Sequence, residues 1–225
     1  MMSAPLAVSI AASLLYFLSI PWQPFPGVVV LKGLSIAPLA ILAWQKTHPL
    51  LAAALALSSL GDVLLEISPE MFAFGLGSFL CAHIVYTTMF LRKRTSFPEV
   101  TQVVIMLGVA AYGVLFAVWL TPHLGKLGAP VWAYMAAITA MAVTSIASGL
   151  RPAWVITGAL LFLISDSILA ANKFVGPVPL RGWLVWSTYV LGQYGLCLGV
   201  LSASRHKSAS GSPWQPQRGH FDLSS

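Results

Sequence analysis

Long apolar runs alternate with short polar breaks along the whole chain, and this pattern predicts its architecture. A helix needs about 20 apolar residues to cross the hydrocarbon core of a bilayer, and eight runs reach or approach that length. The predicted spans are 4–20, 27–45, 49–66, 70–91, 100–119, 128–148, 153–171 and 181–202. Proline lies within or directly after every break between them, and several breaks add glycine or charged residues, which end helices. The pattern therefore predicts an all-α polytopic membrane protein of about eight transmembrane helices.

The composition agrees with lipid rather than water as the solvent of this chain. Apolar residues make up 58% and charged residues only 8%, against about 25% charged residues in a soluble domain. Backbone polar groups inside a bilayer must be paired within each segment, so runs this apolar are helices. We divide the chain into a transmembrane domain, 1–202, and a tail, 203–225, whose Pro/Ser/Gly-rich sequence predicts disorder. The first span lacks a basic leader and is predicted to be an uncleaved helix.

Basic residues in the connections predict the orientation. The connections are short, so consecutive helices are expected to pack as antiparallel neighbours, and eight spans put both termini on one side. That side collects Lys46, Arg92, Lys93, Arg94, Arg151, Arg205, Lys207 and Arg218. The other side collects Lys126, Lys173 and Arg181. By the positive-inside rule, both termini are predicted to be cytoplasmic, and the net charge of +6 does not indicate nucleic-acid binding.

Three charged residues inside the spans fall in the same, non-cytoplasmic half of the membrane. Lys32 lies just inside span two, Asp62 near the end of span three, and Asp166 in the last third of span seven. A charge inside a span is disfavoured by at least about 2.5–3.5 kcal/mol on insertion scales, so such residues usually mark function. The sequence therefore predicts one polar pocket lined by two carboxylates and a lysine.

Structural roles stay open for two of these residues. Lys32 could extend to the nearby interface while its stem stays in lipid. Asp62 could be an interfacial residue that pairs with Lys32 in a structural salt bridge. Glu66, one turn after Asp62, is assigned to the water boundary and left out of the site.

Uncharged polar residues on spans four and eight extend the candidate set. Phe79, His83 and Tyr86 follow i, i+4, i+7 spacing and share one helix face. Tyr189 and Gln193 are likewise one turn apart. A lone neutral histidine often only bonds a neighbouring helix, and polar side chains also hold membrane helices together. Both structural and functional roles are therefore open for this group.

Six short motifs then occur in a fixed order along the chain. They are "LKGL" with Lys32, "GD" at Gly61 and Asp62, "FGLGSFLCAHIVY" ending in Tyr86, "GALLFLISDSILA" with Ser165 and Asp166, "NKF" at 172–174, and "STYVLGQ" with Tyr189 and Gln193. Together they resemble the lysoplasmalogenase family, also called the YhhN-like or transmembrane-protein-86 family, over nearly the whole chain except its ends. The family usually has two tyrosines in the last motif, and here the second position is Val190. That tyrosine is dispensable, or Tyr194 takes its role.

The resemblance implies an activity, partners and further site residues. The activity is hydrolysis of the vinyl ether bond of 1-alkenyl-lysoglycerophospholipids to a fatty aldehyde and glycerophosphoethanolamine or glycerophosphocholine, with no cofactor. The implied partners are the lysoplasmalogen substrate and the bilayer, and a homodimer is kept open. The likeness of "NKFVGPVP" and the tail to eukaryotic members favours the endoplasmic reticulum. Residues expected to bind or orient the substrate are Lys32, His83, Tyr86, Ser165, Asn172, Tyr189 and Gln193.

The chemistry of a vinyl ether fits a pair of aspartates. Protonation of the carbon β to oxygen gives an oxocarbenium ion, water attacks it, and the hemiacetal collapses to aldehyde and alcohol. Glycosidases meet a related cation with two carboxylates. Two close carboxylates in a low-dielectric site do not both ionise, so Asp62 and Asp166 would share a proton. One would act as general acid and the other as base, without assignment of which, while Lys32 would hold the ionised carboxylate or bind the phosphate.

Other functional classes remain as alternatives. Buried Asp, Lys and His also form the ion pathways of transporters and channels, although no internal repeat of the kind many transporters carry is visible. A non-catalytic scaffold and an intramembrane aspartyl protease are further readings, but Ser165 before Asp166 departs from the glycine-flanked protease motif. His83 and the two aspartates could form a metal set, but no metal is predicted. Cys81 and Cys197 lie in apolar runs and indicate neither a metal motif nor a disulfide framework.

Overall fold

The computed structural model describes residues 3–94, 97–150 and 153–210. Within these ranges the chain forms eight long helices, all long and apolar enough to cross a membrane. They are α1 Ala4–Ser19, α2 Val28–Gln45, α3 Pro49–Ile67, α4 Phe72–Lys93, α5 Val100–Leu120, α6 Gly128–Ala147, α7 Ala153–Ala170 and α8 Arg181–Ser210. The prediction of an all-α, multi-pass integral membrane protein is confirmed. Only α8 departs clearly from its predicted span, because it continues past residue 202 to Ser210.

Two predictions fall partly outside the described residues. Arg151 and Arg218, which contribute to the predicted orientation, lie outside them, as do residues 211–225 of the tail. The cytoplasmic location of the termini, the disorder of the tail and the division at residue 202 stay predictions.

Local sequence explains where several helices begin. Proline occupies the first turn of α1 and α3, where its missing N–H needs no partner within the helix. Helix α5 begins with a capping box in which Glu99 and Gln102 exchange side-chain and backbone bonds. Helix α7 continues into a single π-helical turn, Ala171–Val175, before the chain turns into α8.

Seven of the helices form a closed ring in the described part of the chain. Helix α1 packs on α2, α2 on α3, α3 on α4, α4 on α6, α6 on α7, α7 on α8, and α8 returns to α1 and α2. Helix α5 lies outside the ring and packs mainly on α6. The expectation that consecutive helices are neighbours is therefore wrong for α4 and α5. The reason is that α5 has few inward-facing residues, with only Gly113, Ala117 and Leu120 buried.

Glycines let α7 and α8 approach each other to backbone contact. A Cβ added to Gly158 would lie 2.7 Å from the Gly192 carbonyl oxygen, and one added to Gly192 would lie 2.9 Å from the Gly158 carbonyl oxygen. Small residues at such crossings let membrane helices approach to backbone contact. The glycine pair therefore fixes the spacing between the two helices that carry Asp166 and Tyr189.

The two ends of the bundle differ in their polar groups. At the end where α2 meets α3, burial and the nearby Lys93 at the end of α4 lower the pKa of His48. The opposite end joins α1 to α2, α3 to α4 and α7 to α8. It is this second end that contains the candidate site.

Candidate active site

A cavity of about 430 Å³ opens among α1, α2, α3, α4, α7 and α8 at that second end. Six of the nine residues predicted to be catalytic or to bind the substrate lie on its wall: Lys32, Asp62, Ser165, Asp166, Asn172 and Tyr189. Lys32, Asp62 and Asp166 therefore line one pocket, as the sequence predicts. The roles assigned to these residues stay predictions.

Asp62 is held by a tyrosine from the far end of the sequence. Its side chain projects from α3 and is 3% exposed. The Tyr189 hydroxyl on α8 donates a hydrogen bond of 2.5 Å to Asp62 Oδ2. Hydrogen bonds to a carboxylate are stronger than those between neutral groups, so this bond fixes the carboxyl orientation and leaves Oδ1 for other partners.

Asp166 has a matching tyrosine partner and a histidine behind it. The Tyr134 hydroxyl on α6 donates to Asp166 Oδ2. His83 Nε2 on α4 lies 3.1 Å from that hydroxyl oxygen and 3.5 Å from Asp166 Oδ2. Because Tyr134 donates its own proton to Asp166, its oxygen is available as acceptor for an N–H at His83 Nε2.

Aromatic rings fill the space beside the two aspartates. Phe79, Phe162 and Tyr189 pack edge to face, with ring centroids 6.0 Å, 5.2 Å and 5.9 Å apart. The His83 ring lies 4.8 Å from the Phe162 ring. Edge-to-face contacts of this kind add stability beyond their buried area. They hold the tyrosine and histidine in place and keep the floor of the cavity apolar.

Lys32 has a different partner from the one considered in the sequence. Its Nζ forms an ion pair of 2.9 Å with Glu66 Oε2, and the Tyr16 hydroxyl donates to the same oxygen at 3.2 Å. The salt bridge with Asp62 is therefore not the one that forms. Glu66, which the sequence placed at the water boundary and outside the site, lines the cavity with 20% of its side chain exposed. Its position one turn after Asp62 could have indicated, from the sequence, that Glu66 belongs to the site.

Tyr86 and Gln193 bond each other beneath the cavity. The Tyr86 hydroxyl donates to Gln193 Oε1 at 2.8 Å, and both side chains are fully buried. These two and His83 do not line the cavity, which corrects the expectation that they reach water or the glycerol directly. Tyr194 points elsewhere, with its hydroxyl oxygen 2.8 Å from Ser9 Oγ on α1.

Ser165 and Asn172 line the cavity but already have backbone partners. Ser165 Oγ donates to the Val185 carbonyl at 3.0 Å, and Asn172 Oδ1 accepts from the Val178 amide at 3.1 Å. The first bond holds α8 against α7, and the second closes the connection between them. These residues therefore shape the cavity wall as well as facing it.

Several cavity and support residues were missed from the sequence. They are Tyr16, Gln23, Glu66, Tyr134, Lys173 and Arg181. Nothing in the sequence indicated Tyr134 as a site residue, because α6 contains none of the short motifs. Lys173 lies in the "NKF" motif and Arg181 in no motif, and neither was assigned a role beyond the orientation. Their place at the cavity follows from the turn between α7 and α8, whose path depends on the fold.

The described residues contain no group of three His, Cys, Asp or Glu side chains arranged for a metal ion. Asp62 and Glu66 are engaged with Tyr189 and Lys32, whereas His83 faces Tyr134. Cys81 and Cys197 are free thiols. The polar groups of the site in this part of the chain are carboxylate, phenol, hydroxyl, amide, ammonium and guanidinium groups.

A family model described as the YhhN family matches residues 27–200. That range includes both aspartates, both tyrosine partners and the turn between α7 and α8. The chain belongs to the YhhN family. The family resemblance predicted from the motifs is confirmed.

Relatives of this YhhN-family chain occur in bacteria and mammals. A protein named lysoplasmalogenase from Mycobacterium bovis is 33% identical over 194 residues, covering 80% of this chain and 74% of that protein. Lysoplasmalogenase TMEM86B from Sus scrofa is 33% identical over 157 residues, covering 70% and 66%. Lysoplasmalogenase TMEM86B from Mus musculus is 31% identical over 199 residues, covering 85% and 84%. No solved structure matches this YhhN-family chain.

Proposed function

We propose that this YhhN-family protein is a lysoplasmalogenase. It hydrolyses the vinyl ether bond of 1-alkenyl-lysoglycerophospholipids to a fatty aldehyde and glycerophosphoethanolamine or glycerophosphocholine. The observation that carries the proposal is one cavity, within a membrane domain, whose wall holds two aspartates that each accept a tyrosine hydrogen bond. The shared name of its relatives supports the same activity.

The two aspartates act as a proton-transfer pair. Tyr189 and Tyr134 each occupy Oδ2 of one aspartate, so Oδ1 of each is the atom that exchanges protons. One aspartic acid protonates the alkene carbon β to oxygen, and the ionised partner stabilises the oxocarbenium ion and takes a proton from water. The hemiacetal then moves its hydroxyl proton to the ether oxygen and separates into aldehyde and glycerol derivative.

The rim of the cavity carries the groups that suit a phosphodiester. Lys173 and Arg181 are exposed and line the cavity, and Lys173 Nζ lies 4.6 Å from the centre of the Phe72 ring. Lys32 is engaged with Glu66, so it is the less suitable phosphate partner. Because an arginine guanidinium can bind a phosphate through two hydrogen bonds, we assign the head-group phosphate to Arg181, with Lys173 beside it.

The alternatives fit this arrangement less well. The polar cavity lies at one end of the bundle. Beyond it, fully buried side chains of α4 such as Tyr86 and Phe90 occupy the interior of the bundle. That arrangement favours an enzyme over a transporter or channel. Nothing in the helices or the relatives supports the homodimer. The relatives come from mycobacteria and mammals, so the endoplasmic reticulum stays a prediction.

The experiment is aldehyde release by purified protein in detergent. The substrates are 1-alkenyl-lysophosphatidylethanolamine and 1-alkenyl-lysophosphatidylcholine, and the variants are Asp62→Asn and Asp166→Asn. Each variant should lose about a hundredfold or more of kcat, since general acid–base catalysis contributes that much. Glu70→Gln, an exposed carboxylate outside the cavity, is the matched control.

The possible outcomes of this experiment distinguish the proposed function from its alternatives. Activity in the wild type that both monodisperse aspartate variants lose supports the pair. An aspartate variant that keeps full activity removes that residue from the mechanism. A monodisperse wild type that is inactive on both head groups rejects the function, and a transport assay in liposomes would follow.

A further inference from the structure

A second, smaller cavity of about 40 Å³ adjoins the first between α3, α4, α6 and α7. Its wall is apolar apart from Tyr134, Asp166 and Lys173. Residues that line this apolar branch and not the main cavity include Leu76, Val131, Met135, Ala170 and Phe174. Leu76, Ala170 and Phe174 are half-buried, so the branch reaches the lipid-facing surface of the bundle.

Asp166 lies where the two cavities join, whereas Asp62 does not. Asp166 lines both cavities, as do Leu65, Phe72, Phe79, Leu169 and Lys173. Asp62 lines only the main cavity, in the same region as the Lys32–Glu66 ion pair. Of the two aspartates, only Asp166 therefore lies at the boundary between the polar main cavity and the apolar branch.

The proposed substrate has the same polarity boundary. Its vinyl ether links a charged glycerophospho head group to an alkenyl chain, and the alkene carbon β to oxygen is on the chain side of that link. The head group needs polar partners, whereas removal of the apolar chain from water is favourable.

We propose that the alkenyl chain enters the apolar branch, which places the reacting carbon against Asp166 and makes Asp166 the proton donor. This inference rests on the proposed lysoplasmalogenase function. The branch has room for only the first carbons of the chain, and the rest lies against the bilayer between α4 and the α6–α7 pair. Asp62, on the polar side with Tyr189, takes the proton from the attacking water.

The proton balance is complete. Asp166 gives its carboxyl proton to the alkene carbon, and the π electrons of the alkene form the new C–H bond. Water adds to the carbon bonded to oxygen and loses a proton to Asp62. After the hemiacetal separates, the proton on Asp62 passes through cavity water to Asp166 and restores the starting state.

The first test combines substrates of two alkenyl chain lengths with protein variants that narrow the apolar branch. Leu76→Trp and Ala170→Leu narrow the branch without touching the main cavity. For a hexadecenyl substrate, kcat/KM should fall about tenfold, the lower end of the effect of one methylene in an apolar pocket. An ethenyl substrate, which has no carbon beyond the alkene to place in the branch, should be affected much less. Phe74→Trp on α4, whose side chain is exposed and lines neither cavity, is the control.

Equal losses on both chain lengths in both narrowed variants would overturn the chain assignment. A wild type without aldehyde release would instead reject the proposed function. Phe174→Ala, which widens the branch, keeps the test independent of misfolding, because it should raise the preference for a bulkier branched chain. An unchanged preference counts against the branch.

The second test identifies the proton donor. Asp166→Gly and Asp62→Gly leave room for added acetate. Rescue of Asp166→Gly should increase as the pH falls, because acetic acid must supply the missing proton. Rescue of Asp62→Gly should increase as the pH rises, because the acetate ion must accept one. The reverse pattern would exchange the two roles and overturn the assignment.

Discussion

The hydroxyl of Tyr189 on α8 donates a hydrogen bond of 2.5 Å to Asp62 on α3. The pair Tyr134–Asp166 repeats this arrangement from α6 and α7. Each aspartate is therefore oriented by a phenol from another helix, and the two pairs meet only when α8 closes the ring. The site is a property of the assembled bundle, since no single helix contains both members of either pair.

Tyr189→Phe removes one hydrogen bond from Asp62 and keeps the aromatic packing. A hydrogen bond to a charged group contributes about 1.5–3 kcal/mol, so kcat should fall roughly ten- to a hundredfold. Aldehyde release measures the loss. Tyr194→Phe on the same helix, whose hydroxyl faces Ser9, should keep near wild-type activity. If Tyr194→Phe loses activity and Tyr189→Phe does not, the role belongs to the later tyrosine.

His83 is expected to position Tyr134 rather than to exchange a proton with the substrate. His83→Gln places an amide donor near the position of Nε2 and should retain most activity. His83→Phe keeps the contact with Phe162 but removes the donor, and should lose about tenfold, since an unpaired buried polar group costs about 1–3 kcal/mol. Steady-state kinetics of both variants provide the measurement. Equal inactivation of both would indicate that the imidazole itself takes part.

The helices could be predicted from the sequence because lipid imposes a length and a polarity on each span. The depth of Lys32, Asp62 and Asp166 followed from the alternation of the spans, which is why their common cavity was predictable. Their partners were not. Which helix lies beside which depends on shape, as when Gly158 and Gly192 bring α7 against α8, or when α5 is left outside the ring. Tyr134 and Glu66 acquire their contacts only through that packing.

Lys32 and Glu66 are expected to depend on each other for stability. Lys32→Met or Glu66→Gln alone should lower the free energy of unfolding by about 3 kcal/mol. This is the lower end for a broken buried ion pair, and we choose it because the two side chains are 16% and 20% exposed. The double variant should lose less than the sum, by about 0.5–3 kcal/mol. Denaturant unfolding in detergent measures the three values. Strict additivity would mean that the ion pair contributes nothing.

Arg181→Gln should raise KM for the lysophospholipid and leave kcat nearly unchanged. Loss of a charge-assisted bond to phosphate corresponds to about 1.5–3 kcal/mol, or roughly ten- to a hundredfold in KM. An alkenylglycerol without phosphate supplies the control substrate, on which variant and wild type should agree. Lys126→Gln, in the α5–α6 connection and outside the cavity, controls for charge. A variant with unchanged KM would exclude Arg181 from head-group binding.

Gly192→Ala should lower stability and activity together, because its Cβ would stand 2.9 Å from the Gly158 carbonyl oxygen and 3.1 Å from the Phe162 amide. These are backbone atoms, so α8 must move away from α7, and overpacking of this kind costs about 1–3 kcal/mol. The movement also displaces Tyr189, one turn earlier on α8, from Asp62. Gly108→Ala on α5, whose Cβ meets no atom within 4 Å, should be neutral or slightly stabilising, since alanine favours helices. Thermal unfolding and aldehyde release, measured on the same preparations, test both variants. A Gly192→Ala protein as stable and active as wild type would show that the α7–α8 spacing does not set the geometry of the site.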